Sequence, residues 1–233
     1  MQLANAVVLI TGANRGMGQA FAREALARGA RRVYAAARDP ASVKLPGVLP
    51  IPLDVTDPRQ VARAARECGD VTVLINNAGV AETGGFLLDT ALASARRQLE
   101  VNFFGMLGMA QAFAPVLAAH GGGALLNVLS IASWINRPLL GTYGATKSAA
   151  WALTNGLRHE LRAQGTQVTA LHMGFVDTDL ARGIDSPKST PEAIVRAAFD
   201  GLEAGAEEVL ADLATQQVKQ SLSTATPAYL ATA

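Results

Sequence analysis

The feature that most limits what this chain can become is the passage from "AVVLIT" (6–11) through "TGANRGMG" (11–18) into "GQAFAREALARGA" (18–30). A β-branched run ends in a glycine-rich turn and opens directly into a helix-favouring segment, the context in which a glycine pattern becomes informative. Gly12, Gly16 and Gly18 permit a tight turn and close approach of another group to the backbone. The helix start adds unpaired N–H groups and a positive dipole end, suited to a pyrophosphate. An ordinary strand-to-helix turn would show the same glycines.

Further apolar runs follow at "VYAAA" (33–37), "VLPIPL" (48–53), "VTVLIN" (71–76), "ALLNVLS" (124–130), "VTALHM" (168–173) and "EEVLA" (207–211). Alanine-rich helical segments separate them, such as "PRQVARAARECG" (58–69), which Asp57 caps and Pro58 begins. The alternation predicts an α/β fold with a doubly wound parallel sheet of about seven strands, Rossmann-like, in one domain over 1–233. Continuous apolar strands agree, since helices cover both faces of such a sheet. Only nine residues lie between Arg38 and Val48, so that crossover carries a turn or a truncated helix. The most loop-like stretch is 177–192, closed by Thr190 as N-cap and Pro191, and a substrate loop is expected around 175–190.

The 233 residues are half apolar and 17% charged, enough to bury a full core. Twenty basic and nineteen acidic residues, without a basic block, argue against nucleic acid or anionic lipid as a partner. The single Cys68 cannot close an internal disulfide, and no Cys/His cluster has zinc spacing. No metal and a cytoplasmic location are expected. The apolar run at 6–10 is too short for a signal peptide. The weakly polar stretch 106–120 falls short of the roughly 20 residues of a membrane span.

The spacing Thr-Gly-x-x-x-Gly-x-Gly at 11–18, "NNAG" at 76–79, Asn102, Ser130, and Tyr143 with Lys147 four residues on together resemble the short-chain dehydrogenase/reductase family of the compact type. These landmarks run from residue 11 to about 178. The resemblance implies a nicotinamide dinucleotide held by Gly12, Asn14, Arg15, Gly16, Met17, Gly18, Arg38, Asp54, Val55, Asn77, Ala78, Gly79, Tyr143, Lys147, Gly174, Val176 and Thr178. Where the family carries an acidic residue on the adenosine ribose, this chain has Ala37 followed by Arg38. Arg15 and Arg38 converging on that ribose would suit a 2′-phosphate, because guanidinium presents forked donors. NADP(H) is therefore expected over NAD(H). Asp39 could instead bond an unphosphorylated ribose, but a turn before Pro40 is its simpler role. Asp54 resembles the family aspartate that faces the adenine amino group.

Residues i and i+4 share a helical face, so Tyr143 and Lys147 project together if "TYGATKSAAWALTNGLRHELRAQ" is helical. Lowering a tyrosine from a pKa near 10 to about 7 takes roughly 4 kcal/mol of preference for the phenolate, which a nearby ammonium and a positive nicotinamide can supply. The resemblance makes Tyr143 the proton donor, Lys147 its tuner and a holder of the nicotinamide ribose, Ser130 the partner of the substrate oxygen, and Asn102 the site of a water relay. Ser133 is the neighbouring rival to Ser130, and the interval to Tyr143 favours Ser130. His120, His159 and His172 match no catalytic position. "HMGFVDTDL" has Met173 where the family has proline, which should loosen the local turn, while Gly174 and Thr178 remain.

Segments 80–86, 131–141 and 175–185 should line the substrate side. Ile131, Trp134, Ile135, Leu139 and Leu140 suit a hydrophobic ketone or alcohol, although Trp134 could equally pack on the core or a partner subunit. The loop after Thr178 is brief, which predicts an accessible pocket. Helices at 103–119 and from Gly144 are apolar on several faces, and the resemblance implies a homodimer or homotetramer built on them. The expected activity is an NADPH-dependent carbonyl reductase or secondary alcohol dehydrogenase. A non-catalytic NADP(H)-binding redox sensor is the alternative, disfavoured because a sensor needs no proton donor.

Overall fold

Seven strands form one all-parallel sheet: β1 (Val7–Thr11), β2 (Arg32–Ala37), β3 (Leu49–Pro52), β4 (Val73–Asn76), β5 (Ala124–Val128), β6 (Gln167–His172) and β7 (Glu208–Leu210). Their order is β3-β2-β1-β4-β5-β6-β7, the doubly wound arrangement that the alternating sequence predicts. The computed structural model describes residues 1–231. Around the sheet pack α1 (Gly16–Ala27), α2 (Pro58–Glu67), α3 (Ala91–Leu99), α4 (Met106–Ala119), α5 (Gly141–Glu160), α6 (Pro191–Glu203) and α7 (Leu213–Ser221). Strand order reverses between β1 and β4, so a crevice opens beyond their carboxyl ends.

The central strands are apolar throughout because each serves two cores. In β1, Val8 and Ile10 join Phe21, Val195 and Phe199 on the α1/α6 side, while Val7 and Leu9 join Met109, Phe113 and Leu157 on the other. Phe21 and Phe199 meet edge to face at 5.4 Å between ring centroids. Strand β3 carries Pro50 and Pro52, which lack the N–H a central strand needs, and it lies at the sheet edge where that loss is tolerated. The short crossover before it holds a 3₁₀ turn, Pro40–Ser42, in place of a full helix.

Helix starts follow the sequence signals. The Asp57 carboxylate accepts the Arg59 N–H at 2.9 Å ahead of α2, and the Thr190 hydroxyl accepts the Ala193 N–H at 3.2 Å ahead of α6. One expectation changes. Helices α3 and α4 fuse through a π turn, Glu100–Gly105, into a continuous stretch Ala91–Ala119 of 29 residues, long and apolar enough by length and composition to cross a membrane. The run 106–120 alone reads as too short for a span because residues 91–105 are more polar. In this fold the stretch packs beside α2 and α5, which buries part of it and leaves an apolar face outward.

Candidate active site

The crevice is built first by its glycines. Gly12 and Gly16 adopt positive φ angles of 66° and 51°, and a Cβ on Gly18 would lie 2.1 Å from the Gly12 carbonyl oxygen. No side chain caps α1 and no acidic residue stands in its first turn, so its leading amides are left for an anion from outside. Thr11, which the sequence reading leaves without a role, ties the two lips together. Its hydroxyl accepts the N–H groups of Asn77 at 3.0 Å and Ala78 at 2.9 Å and donates to the Ile75 carbonyl at 3.3 Å. The Asn77 amide donates to the carbonyls of Thr11 and Gly12 at 2.8 and 3.2 Å. Asn14 and Met17 lie half-buried in the same turn.

Toward the β2 edge the groups are exposed. Arg38 follows the last residue of β2 and has no ion-pair partner among the described residues. Arg15 instead reaches across the crevice to Asp179 at 2.7 Å, and Asp179 also binds Arg182. A carboxylate on the far side thus holds one of the two arginines. Asp39 is a turn residue, its carboxylate accepting the Ala41 N–H at 3.0 Å. One carboxylate oxygen of Asp54 accepts both the N–H and hydroxyl of Thr56, at 3.0 and 2.7 Å. Val55 packs its methyl against Gly105 of the π turn, where a Cβ would come within 2.7 Å.

At the other end the groups are buried and partnered. Helix α5 places Tyr143 and Lys147 on one face, with the ammonium 5.8 Å from the phenol ring centroid. Ser130, just beyond β5, accepts the Ala132 N–H at 3.1 Å and stands close enough to the phenol to favour its ionised form. The rival Ser133 hydroxyl is buried with no partner among the described residues. Burial pushes the Tyr143 pKa up to about 12, against the pull of Ser130, and pushes Lys147 down to about 8. The chain alone therefore does not lower the tyrosine as the sequence reading expects. The Lys147 ammonium donates to the Val128 carbonyl at 2.9 Å, and desolvation of the phenol prevails.

Asn102 sits in the π turn, fully buried. Its side chain accepts the Val80 N–H at 2.9 Å and donates to the Val80 carbonyl and the Thr146 hydroxyl, both at 2.9 Å. The amide thus fixes the loop after β4 against α5 at Thr146, the residue before Lys147. Gly79 lies between these groups, since a Cβ there would meet Asn102 Oδ1 at 3.3 Å and Lys147 Nζ at 3.8 Å.

Beyond β6 the turn is more constrained than the missing proline suggests. Met173 offers its carbonyl to the Ile131 N–H at 2.8 Å, and the Asp212 carboxylate takes the Gly174 N–H at 2.7 Å. That amide is thereby occupied, which leaves Gly174 its carbonyl and its lack of a side chain to offer a ligand. Val176 is buried, and the Thr178 methyl would lie 3.3 Å from a Cβ on Gly16, which closes the turn over the crevice. Trp134 faces away from the crevice, stacked on His172 at 4.0 Å and edge-on to Trp151 at 6.2 Å. It is half-buried there, against residues of its own chain. Phe86, Leu139 and Leu180 remain about half exposed on the three loops expected to line the substrate side.

Open helix amides, a turn that admits no Cβ at Gly18 and a buried lysine at the far end of one crevice fit a dinucleotide. Comparison with known proteins agrees. The family model for short chain dehydrogenase matches residues 6–189. The chain is 34% identical over 206 residues to a sorbitol dehydrogenase of Cereibacter sphaeroides, covering 84% of this chain and 80% of that one. It is 33% identical over 195 residues to dehydrogenase/reductase SDR family member 7B of Bos taurus, covering 76% of this chain but spanning only 60% of that longer relative. A short chain dehydrogenase from Burkholderia cenocepacia J2315, solved in complex with NADP, superposes with a TM-score of 0.93 at 38% identity, covering 97% of this chain and 95% of that one. One from Burkholderia phymatum, solved in complex with NAD, has a TM-score of 0.86 at 23% identity, covering 95% and 94%, which shows the shared fold alone.

Proposed function

Because the chain belongs to the short-chain dehydrogenase/reductase family of oxidoreductases, we propose that it is an NADP(H)-dependent carbonyl reductase or secondary alcohol dehydrogenase for a hydrophobic ketone or alcohol. The observation that carries this is the buried meeting of Ser130, Tyr143 and Lys147 at the carboxyl end of β5. A bound nicotinamide would supply or accept the hydride. Ser130 donates a hydrogen bond to the substrate oxygen as charge develops there. Tyr143, which burial keeps protonated at neutral pH, gives that oxygen its proton in reduction. Lys147 offers a positive charge beside the phenol and donors for the ribose hydroxyls, and Asn102 holds the loop that frames it.

Arg38 and Arg15 support NADP(H), and so does the 38%-identical relative solved with NADP. In the complex Arg15 would leave Asp179 for the 2′-phosphate, an exchange that is cheap between exposed groups. The half-exposed Phe86, Leu139 and Leu180 suit an apolar substrate at an open mouth. The outward face of Ala91–Ala119, with Leu92 and Phe104 exposed, suits a second copy of the chain in a homodimer or homotetramer. The test is NADPH consumption followed by absorbance with a panel of apolar ketones. Turnover with at least one is expected. Tight NADPH binding without turnover of any carbonyl would contradict the enzymatic assignment.

A further inference from the structure

A buried histidine that proton transfer does not use lies against the backbone of Ser130. His172 closes β6 with no exposed surface, and its Nδ1 stands 3.0 Å from the Ser130 carbonyl oxygen. A carbonyl can only accept, so the ring hydrogen must sit on Nδ1. Burial holds the ring down to a pKa of about 4, which leaves it neutral with that one hydrogen at neutral pH. The Ser133 N–H, at 3.0 Å, reaches the same carbonyl from the other side.

The remaining surroundings keep the ring in place. Trp134 stacks on it at 4.0 Å with 23° between planes. Nε2 faces Glu208 of β7 at 3.6 Å, beyond hydrogen-bond distance, and that carboxylate is engaged by Lys219 of α7 at 2.8 and 3.0 Å. Lys219 in turn lies over the rings of Trp134 and Trp151, at 4.8 and 5.7 Å. Glu208, Lys219 and Arg158 of α5 are the charged groups around the ring. None of them needs the histidine as an ion-pair partner.

We propose that His172 is a positioning residue for the reaction: its Nδ1–H holds the Ser130 carbonyl and so aims the Ser130 hydroxyl at the substrate oxygen and Tyr143. Trp134 stacks on the ring, and Lys219 of α7, paired with Glu208 of β7, lies over Trp134 and backs the stack. This rests on Ser130 acting as the hydroxyl that binds the substrate oxygen. A small misplacement of such a group costs a large factor in rate without changing what binds the cofactor.

The variants His172→Asn and His172→Leu separate aiming from packing, because asparagine keeps an N–H near the Nδ1 position and leucine keeps bulk without a donor. Ser130→Ala is measured alongside them. His172→Leu should lower kcat about tenfold, leave the Kd for NADPH unchanged, and move the alkaline limb of the reduction profile upward, as the Ser130 hydroxyl loses its place beside the phenol. His172→Asn should return kcat to within about threefold of the parent. Equal losses in both variants, or no loss in His172→Leu, would overturn the positioning role while a damaged Ser130→Ala leaves the role of Ser130 standing. An undamaged Ser130→Ala would remove the assignment of Ser130 itself. Should the variants fail to fold, ¹⁵N NMR of histidine-labelled parent protein decides: a neutral Nδ1–H tautomer for His172 at neutral pH supports the proposal, and an Nε2–H tautomer or an imidazolium overturns it.

Discussion

The two ends of the crevice are made differently. Around Ser130, Tyr143 and Lys147 every group is buried and most have a partner on the protein, so their positions are set before anything binds. Around Arg15 and Arg38 the groups are exposed; one has a substitute partner in Asp179 and the other has none among the described residues. Buried groups act in a medium where misplacement is costly, whereas exposed guanidiniums can be exchanged between carboxylate and phosphate at little cost. Chemistry is therefore fixed by the fold at one end, and cofactor choice is adjustable at the other.

The largest effect should come from Tyr143→Phe, which removes the proton donor: kcat falls about a thousandfold while NADPH affinity, read by fluorescence titration, stays within about twofold. Near-normal rates would erase the contrast between the two ends. Ser130→Ala should follow with a loss of about a hundredfold in kcat.

The pH dependence sharpens the same end. Burial raises Tyr143 to about 12, so its acid form is present throughout the neutral range and is lost only on the alkaline side. Ketone reduction should hold across neutral pH and fall at alkaline pH, whereas alcohol oxidation, which needs the phenolate, should rise there. Bound oxidised nicotinamide adds positive charge and should bring that limb down in the oxidation direction. Opposite trends in rate profiles would contradict Tyr143 as the titrating group.

At the exposed end effects are smaller. Arg38→Ala should weaken NADPH about tenfold more than NADH, the loss of one charge-assisted bond. Equal losses would deny it the phosphate. Asp179→Asn should strengthen NADPH binding by about threefold, since an exposed ion pair competing for Arg15 is worth little; weaker binding would mean Asp179 aids the site.

This division also governs what could be read in the sequence. The doubly wound parallel sheet and the shared helical face of Tyr143 and Lys147 were legible because alternating strands and helices and i, i+4 spacing leave few alternatives, whereas Ser130 entered through the family resemblance. Thr11, Asp212 and His172 were not, although each hydrogen-bonds the loops that carry the site. Their partners lie 38 to 67 residues away in sequence and are backbone groups, which carry no side-chain signature. Trp134 failed to declare its side of the loop for a similar reason: a stack on His172 depends on how β6 ends. The direction of Arg15 was hidden too, since Asp179 reads as one more charge in a polar loop.

The central claim, that this chain moves hydride between a nicotinamide and a carbonyl carbon, is tested most directly by isotope transfer. Protein supplied with NADPH deuterated at the transferable position and with an apolar ketone should yield an alcohol carrying deuterium on the carbinol carbon, detected by mass spectrometry. Product alcohol without the label, or no alcohol from any ketone despite bound NADPH, would contradict it.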